Sequence, residues 1–224
     1  GGTTTINGGI INIDPQTAAD NTPAGTHIFE AAGASNVTFT SGTVTVIDPH
    51  SATGGGNAVQ IVAGAGIKNF TGSTIRLGNG TSTTTGSTEG FDVNAGGAAT
   101  LGNLVINNPS GTNRFVALVT NDYESSGNIT ITGGQLRSNG NDIAVGGNWT
   151  NNGSFVAGTD LVTFNGTTAQ TIGGTTGTLF NDITFDNSLP GTGTAITIAR
   201  GANVSGILTF IDGIVSTDAT NFLT

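Results

Sequence analysis

The chain has 224 residues, 8% of them charged, with a formal net charge of −9 and only five basic residues, where an ordinary globular domain carries roughly 25% charged side chains. Lys68, Arg76, Arg114, Arg137 and Arg200 stand singly, which excludes a phosphate-neutralising surface and so a nucleic-acid partner; the absence of cysteine excludes disulfides, thiolate metal sites and cysteine nucleophiles. Disorder is excluded as well, because the mean hydropathy of +0.07 comes from regularly spaced Val, Ile, Leu and Phe that can form a core.

The 38 glycines and the abundance of Thr, Asn and Ser describe a turn-rich, helix-poor chain. No apolar run approaches the ~18 residues of a membrane-spanning helix, and no basic-then-apolar leader opens the sequence, so no membrane insertion is expected of this segment. Methionine is absent, so residues 1–224 are expected to be one continuous segment excised from a longer chain.

In chain order, the first block is "INGGIINIDPQT" (Ile6 to Thr17), echoed by "TSGTVTVIDPHS" (Thr40 to Ser51), which sets Asp14-Pro15 and Asp48-Pro49 34 positions apart. Phe70-Thr71-Gly72 and Ile75-Arg76-Leu77 then echo Phe39-Thr40 and Val44-Thr45-Val46. A triplet of aliphatic, threonine and phenylalanine runs through the whole sequence as Val37-Thr38-Phe39, Val162-Thr163-Phe164, Ile183-Thr184-Phe185 and Leu208-Thr209-Phe210, with Ile129-Thr130-Ile131 and Ile196-Thr197-Ile198 as relatives. In an extended strand the outer two residues of each triplet share one face and the threonine takes the other. Gly133-Gly134, Gly146-Gly147, Asn152-Gly153, Asn165-Gly166 and Gly173-Gly174 punctuate the segments between as turns.

Short strands, no helix, and self-similarity every 20 to 35 or so residues predict a parallel β-helix (β-solenoid). At roughly 25 residues per coil the chain makes about nine coils and spans ~40 Å, each coil adding an aliphatic and a phenylalanine to an interior column and a threonine to an exterior one. The alternative is one or two antiparallel β-sandwich domains, which explain the strand spacing but not the self-similarity.

The stretches "VTFNGTTAQTIGG", "LFNDITFDNS" and "GANVSGILTFIDGIVSTDATNFLT", clearest from Thr150 to Thr224, resemble the repeat regions of very large adhesin-like surface proteins of Bacteroidota. That resemblance implies a cell-surface context, export by the type IX secretion route and a kinship with gliding adhesins. It implies no catalytic residues.

β-helices also carry enzymes that cut acidic polysaccharides. Asp160, Asp182, Asp186 and Asp212 lie near the triplets, with Arg137 or Arg200 as a basic partner for such a site; the competing expectation is that these acids make side-chain-to-backbone turn bonds. His27 and His50 have no neighbouring carboxylate at triad or metal spacing, and the Gly-Gly-x-Gly-x-Asp calcium repeat is missing, leaving only incidental calcium. Ice binding would need paired outward threonines on every coil; Thr38/Thr40 and Thr130/Thr132 fit, whereas Thr163/Asn165, Thr184/Asp186 and Thr209/Ile211 do not. Trp149 and Tyr123 are the large amphipathic aromatics, and "GGNWTNNG" sets Trp149 as a glycan contact on an exposed corner, against a role covering the solenoid edge. The sequons at Asn36, Asn69, Asn79, Asn128, Asn148 and Asn165 are expected by chance in so Asn- and Thr-rich a chain.

The sequence therefore predicts a non-enzymatic, extracellular stiff spacer with no cofactor, catalytic or metal site. Its expected partners are other parts of its own longer chain, and surface polysaccharide or cell-envelope proteins. A polysaccharide-cleaving β-helix enzyme is the alternative, and an ice- or glycan-binding module a lesser one.

Overall fold

The computed structural model describes residues 2–13, 27–48, 56–62, 64–81, 90–97, 99–108 and 115–224. The first part of the chain alternates long and short strands: β1 (Thr3–Ile13), β2 (Phe29–Ala31), β3 (Asn36–Val46), β4 (Val59–Val62), β5 (Lys68–Leu77), β6 (Phe91–Gly96) and β7 (Thr100–Asn107). Shorter strands follow: β8 (Phe115–Leu118), β9 (Tyr123–Ser125), β10 (Ile129–Gly133), β11 (Gln135–Arg137), β12 (Ile143–Val145), β13 (Trp149–Asn151), β14 (Ser154–Val156), β15 (Leu161–Phe164), β16 (Gln170–Gly173), β17 (Thr178–Phe180), β18 (Asp182–Asp186), β19 (Thr194–Ile198), β20 (Ala202–Val204), β21 (Leu208–Asp212) and β22 (Ile214–Ser216). Among the described residues there is no helix, and every strand pairing is parallel.

The pairings form ladders. β1, β3, β5 and β7 pair in that order, and beyond β7 the sheet divides. One branch, the first ladder, runs β9–β12–β15–β18–β21; the other, the second ladder, runs β10–β13–β16–β19–β22. A third ladder runs β2–β4–β6–β8–β11–β14, and β17, which packs beside β14, pairs with β20. Neighbours in a ladder come from successive passes of the chain, an order consistent with a β-helix and incompatible with the antiparallel sandwich, whose sheets are built from hairpins.

The first ladder explains the repeated triplet. Ile6 pairs with Phe39, the Phe39 and Phe70 rings stack with centroids 4.9 Å apart, and the column continues through Leu101, Ser125, Val145, Phe164, Phe185 and Phe210. Val37, Val162, Ile183 and Leu208 stand two positions earlier in the same strands. The relatives Ile129-Thr130-Ile131 and Ile196-Thr197-Ile198 belong to the second ladder instead. Their inward ends close the same core from a different face: Ile129, Ile131, Ile196 and Ile198 are all buried.

Two expected details differ. The 34-residue echo holds at Asn7–Ser41, but Ile11 pairs with Val44 and Ile13 with Val46, 33 positions on, because the ladder shifts register around Asn7. Gly8 and Gly9, both at positive φ, form that irregularity. Leu208 and Phe210 align with the interior column but are exposed, Phe210 by 58%, because β21 is the edge strand of its ladder. The Asp14-Pro15 pair, Pro49, His50 and Arg114 lie outside the described residues.

Candidate functional site

At several corners of the stack, backbone N–H groups near the start of a strand donate to side chains from the preceding pass. Asp122 Oδ1 accepts from the Asp142 N–H at 2.8 Å, Asp142 Oδ1 from the Leu161 N–H at 2.8 Å, and Asp182 Oδ1 from the Ile207 N–H at 2.7 Å. A parallel column opens the second ladder. Asn103 Oδ1 accepts from the Asn128 N–H at 2.9 Å, Asn128 Oδ1 from the Asn148 N–H at 2.7 Å, and Asn148 Oδ1 from the Thr171 N–H at 2.8 Å. Each of these side chains joins one pass of the chain to the next.

Most of the sequon asparagines thus have a structural use that chance occurrence did not suggest. Asn36 Oδ1 also accepts from the next pass, at the Ile67 N–H, while Asn69 and Asn79 close local turns on Thr71 and Thr81. The signal available in the sequence is Gly-Asn before an apolar residue, at Gly102-Asn103-Leu104, Gly127-Asn128-Ile129 and Gly147-Asn148-Trp149. The glycine is part of the device: a Cβ at Gly127 would sit 2.6 Å from Asn103 Oδ1, and one at Gly147 would sit 2.5 Å from Asn128 Oδ1.

The candidate catalytic acids are held in similar ways. Asp160 Oδ2 accepts from the Gly140 N–H at 2.8 Å, and Asp212 Oδ1 from the Gly213 N–H at 2.8 Å. The four acids form two neighbouring pairs at opposite ends of their strands: the Asp182 N–H donates to the Asp160 carbonyl, and Asp186 is the register partner of Asp212. Arg137 is engaged elsewhere, donating to Gln135 and lying 3.7 Å from the Phe115 ring centroid. Arg200 sits in an exposed turn after β19.

A groove of ≈ 330 Å³ runs beside the first ladder, with Asp122, Glu124, Asp142 and Thr163 on its wall. Two of its acids are the corner groups already bonded to backbone N–H. Among the described residues no group of three His, Cys, Asp or Glu is placed to hold a metal ion. His27 accepts the Asn57 N–H on Nδ1 at 2.9 Å, which ties the approach to β2 to the chain before β4.

Trp149 is not on an exposed corner; it is 0% accessible. Its Nε1 donates to Thr178 Oγ1 at 3.1 Å, and Phe155, Phe180 and Phe164 surround it at centroid distances of 4.8, 5.5 and 6.5 Å. The indole is inward because Trp149 pairs with Ile129 and Ile172 in an inward column of the second ladder. A ring without an accessible face offers sugars no platform, so the glycan-contact assignment does not survive, nor does the role of edge cover.

The outward column over the threonines is interrupted too. Thr38 is followed by Asn69, and Ala144 precedes Thr163, Thr184 and Thr209.

Buried polar groups are the feature that the sequence concealed. Lys68 is 1% exposed, and its ammonium donates to the carbonyls of Gly33, Ser35 and Gly66 at 3.0, 2.5 and 3.3 Å. Gln170 accepts from the Gly166 N–H and Asn187 Nδ2 on its oxygen and donates to the Val145 and Gly147 carbonyls through its nitrogen. Tyr123 and Asn108 are exceptions: the Tyr123 hydroxyl and both amide atoms of Asn108 are buried without a partner, and burial holds the Tyr123 pKa well above the ordinary phenol value. Lys68 and Gln170 each tie neighbouring passes of the chain together in the interior.

No protein-family model, curated protein or solved structure matches the chain. No helix among the described residues is long and apolar enough to cross a membrane.

Proposed function

We propose that this protein is a mechanical element: a stiff β-solenoid spacer of a large extracellular bacterial surface protein, wound in nine coils. The observation that carries this reading is the single inward column from Ile6 through Phe39, Phe70, Leu101, Ser125, Val145, Phe164 and Phe185 to Phe210. A stack in which each pass touches mainly its neighbours lengthens by adding passes and needs no new core. Corner bonds from Asp142, Asn128 and Asn148 add side-chain ties between the same passes. Nine passes at ~4.8 Å each give a rod of about 40 Å.

The adhesin-like wording of residues 150–224 supports the surface location, with the rest of a longer chain and envelope polysaccharide or protein as its contacts. No cofactor enters this function, and calcium binding is incidental.

Single-molecule pulling tests it. A spacer of this kind releases its contour length in several steps as passes peel from the stack, and turns over no polysaccharide in a panel of acidic glycans. Extension at low force without resolvable steps, or turnover of any member of the panel, would remove the reading.

A further inference from the structure

Arg76 is a cation without a structural task. Lys68 is engaged inside the stack by three carbonyls, and Arg137 by Gln135 and the Phe115 ring. Among the described residues no hydrogen bond or ion pair engages the Arg76 guanidinium.

Register places Arg76 on the outer face of the sheet. Its neighbours in β5, Ile75 and Leu77, are buried, so alternation turns Arg76 outward. Its column runs Asn12, Thr45, Arg76, Val105, Thr130 and Thr150, and a second outward column two positions earlier runs Ile10, Thr43, Thr74 and Asn103. Arg76 is the one charge in either run, among side chains that are otherwise short and neutral.

The first passes of these two columns enclose a groove of ≈ 390 Å³, lined by Ile10, Asn12, Thr43, Thr45, Thr74 and Arg76 with no Asp or Glu on its wall. Thr74 Oγ1 accepts from Asn103 Nδ2 at 3.3 Å, which leaves the Thr74 O–H to donate. Three passes span about 10 Å, the length of two linked sugar rings. The groove thus combines a planar two-pronged cation, hydroxyl and amide groups at strand spacing, and an exposed isoleucine side chain. A carboxylate matches the guanidinium fork, ring hydroxyls match Asn12, Thr43 and Thr74, and the C–H face of a sugar ring matches Ile10. A phosphodiester chain needs a row of cations, and this groove has one. A neutral glycan leaves the guanidinium without a counter-charge.

We propose that this groove binds a uronic acid unit of an acidic polysaccharide, with Arg76 taking the sugar carboxylate and Asn12, Thr43 and Thr74 its hydroxyls. The assignment rests on the reading of the chain as a surface protein that meets envelope polysaccharide, and it gives that contact a place and a chemistry. The contact is binding without cleavage, since the groove has no carboxylate or imidazole on its wall to act as acid or base.

The test titrates the 224-residue chain with oligomers of galacturonate, alginate and hyaluronan, each beside its carboxyl-methylated form, which keeps the backbone and loses the charge. A single partly exposed charge pair is a modest contact, so binding is followed by amide shifts in NMR, which register weak complexes. At least one acidic oligomer should shift the amides of Thr43, Thr74 and Arg76, with an affinity that falls as salt is raised. Arg76→Gln and methylation of the ligand should each weaken binding about tenfold or more. Arg76→Lys, which keeps the charge without the fork, should recover part of the loss. Arg200→Gln, in the exposed turn after β19, should bind as the wild type does.

No shift at these amides with any acidic oligomer overturns the proposal. Equal binding of the methylated forms, or wild-type binding by Arg76→Gln, overturns it as well. Equal losses in Arg76→Gln and Arg200→Gln would reduce the effect to net charge and overturn it too. Should Arg76→Gln fail to fold, Arg76→Lys and the methylated ligands decide the matter on folded protein. None of these outcomes alters the stepwise extension that tests the spacer.

Discussion

Phe164 and Phe185 are register partners in adjacent strands, with ring centroids 5.9 Å apart, and Phe210 continues the column 5.4 Å beyond Phe185. Equivalent sequence positions nevertheless have unequal surroundings: Phe164 and Phe185 are 0% exposed and Phe210 is 58% exposed. Phe185→Ala leaves a cavity between two rings and should cost about 3–5 kcal/mol in denaturant unfolding. Phe210→Ala should cost under about 1.5 kcal/mol because little area leaves the core. Equal losses at the two sites would show that the column does not end at β21.

Lys68 replaces an apolar residue in an inward column, where Val37 is its register partner. Its charge meets three carbonyl oxygens from two passes. Lys68→Met keeps the length and apolar stem but strands those carbonyls, and each unsatisfied buried group costs roughly 1–3 kcal/mol. A net loss of about 2–3 kcal/mol is expected, read as a shift in the urea midpoint at unchanged slope. A neutral or stabilised variant would mean that water serves the carbonyls equally well.

The interior column was legible in the sequence because a two-residue period and a fixed Thr between apolar residues leave little freedom in how a strand faces. Ile129 and Ile196 shared that period, so sequence alone merged two faces of the sheet into one column. The corner ties at Asn128 and Asn148 were less visible, since Asn is common throughout this chain and the bond partner lies 20 or more residues away. Trp149 misled for a physical reason: flanking Gly and Asn marked a turn, but β13 starts at the indole itself and turns it inward.

The Gly-Asn pairs make a linked prediction. Asn128→Ala removes the acceptor for the Asn148 N–H and should cost about 0.5–1 kcal/mol, since the bond is solvent-exposed. Asn128→Asp keeps the accepting oxygen and should recover most of that loss. Gly147→Ala should cost more than Asn128→Ala, because the added Cβ also meets the Gly127 backbone at 2.6 Å. Hydrogen exchange at the Asn148 amide reports the first two variants directly: faster in Ala, near wild type in Asp.

Tyr123 is the only tyrosine, so phenolate absorbance reports one group. Its hydroxyl is buried and unpartnered, and burial raises its pKa in the folded state above the ordinary value of 10.0. A raised acid pKa means that the unfolded chain ionises first. Tyr123 therefore destabilises nothing by titration below the ordinary phenol range, and folding stability falls as pH rises above it, by up to about 1.4 kcal/mol per pH unit until the folded pKa is reached. Tyr123→Phe removes both the orphaned hydroxyl and this slope: stability near neutral pH should be unchanged or higher by about 1–2 kcal/mol, and the alkaline decline should flatten. Phenolate absorbance in the wild type should rise together with loss of β-sheet circular dichroism. Ionisation at the ordinary phenol pKa in the folded protein would place the hydroxyl in contact with water.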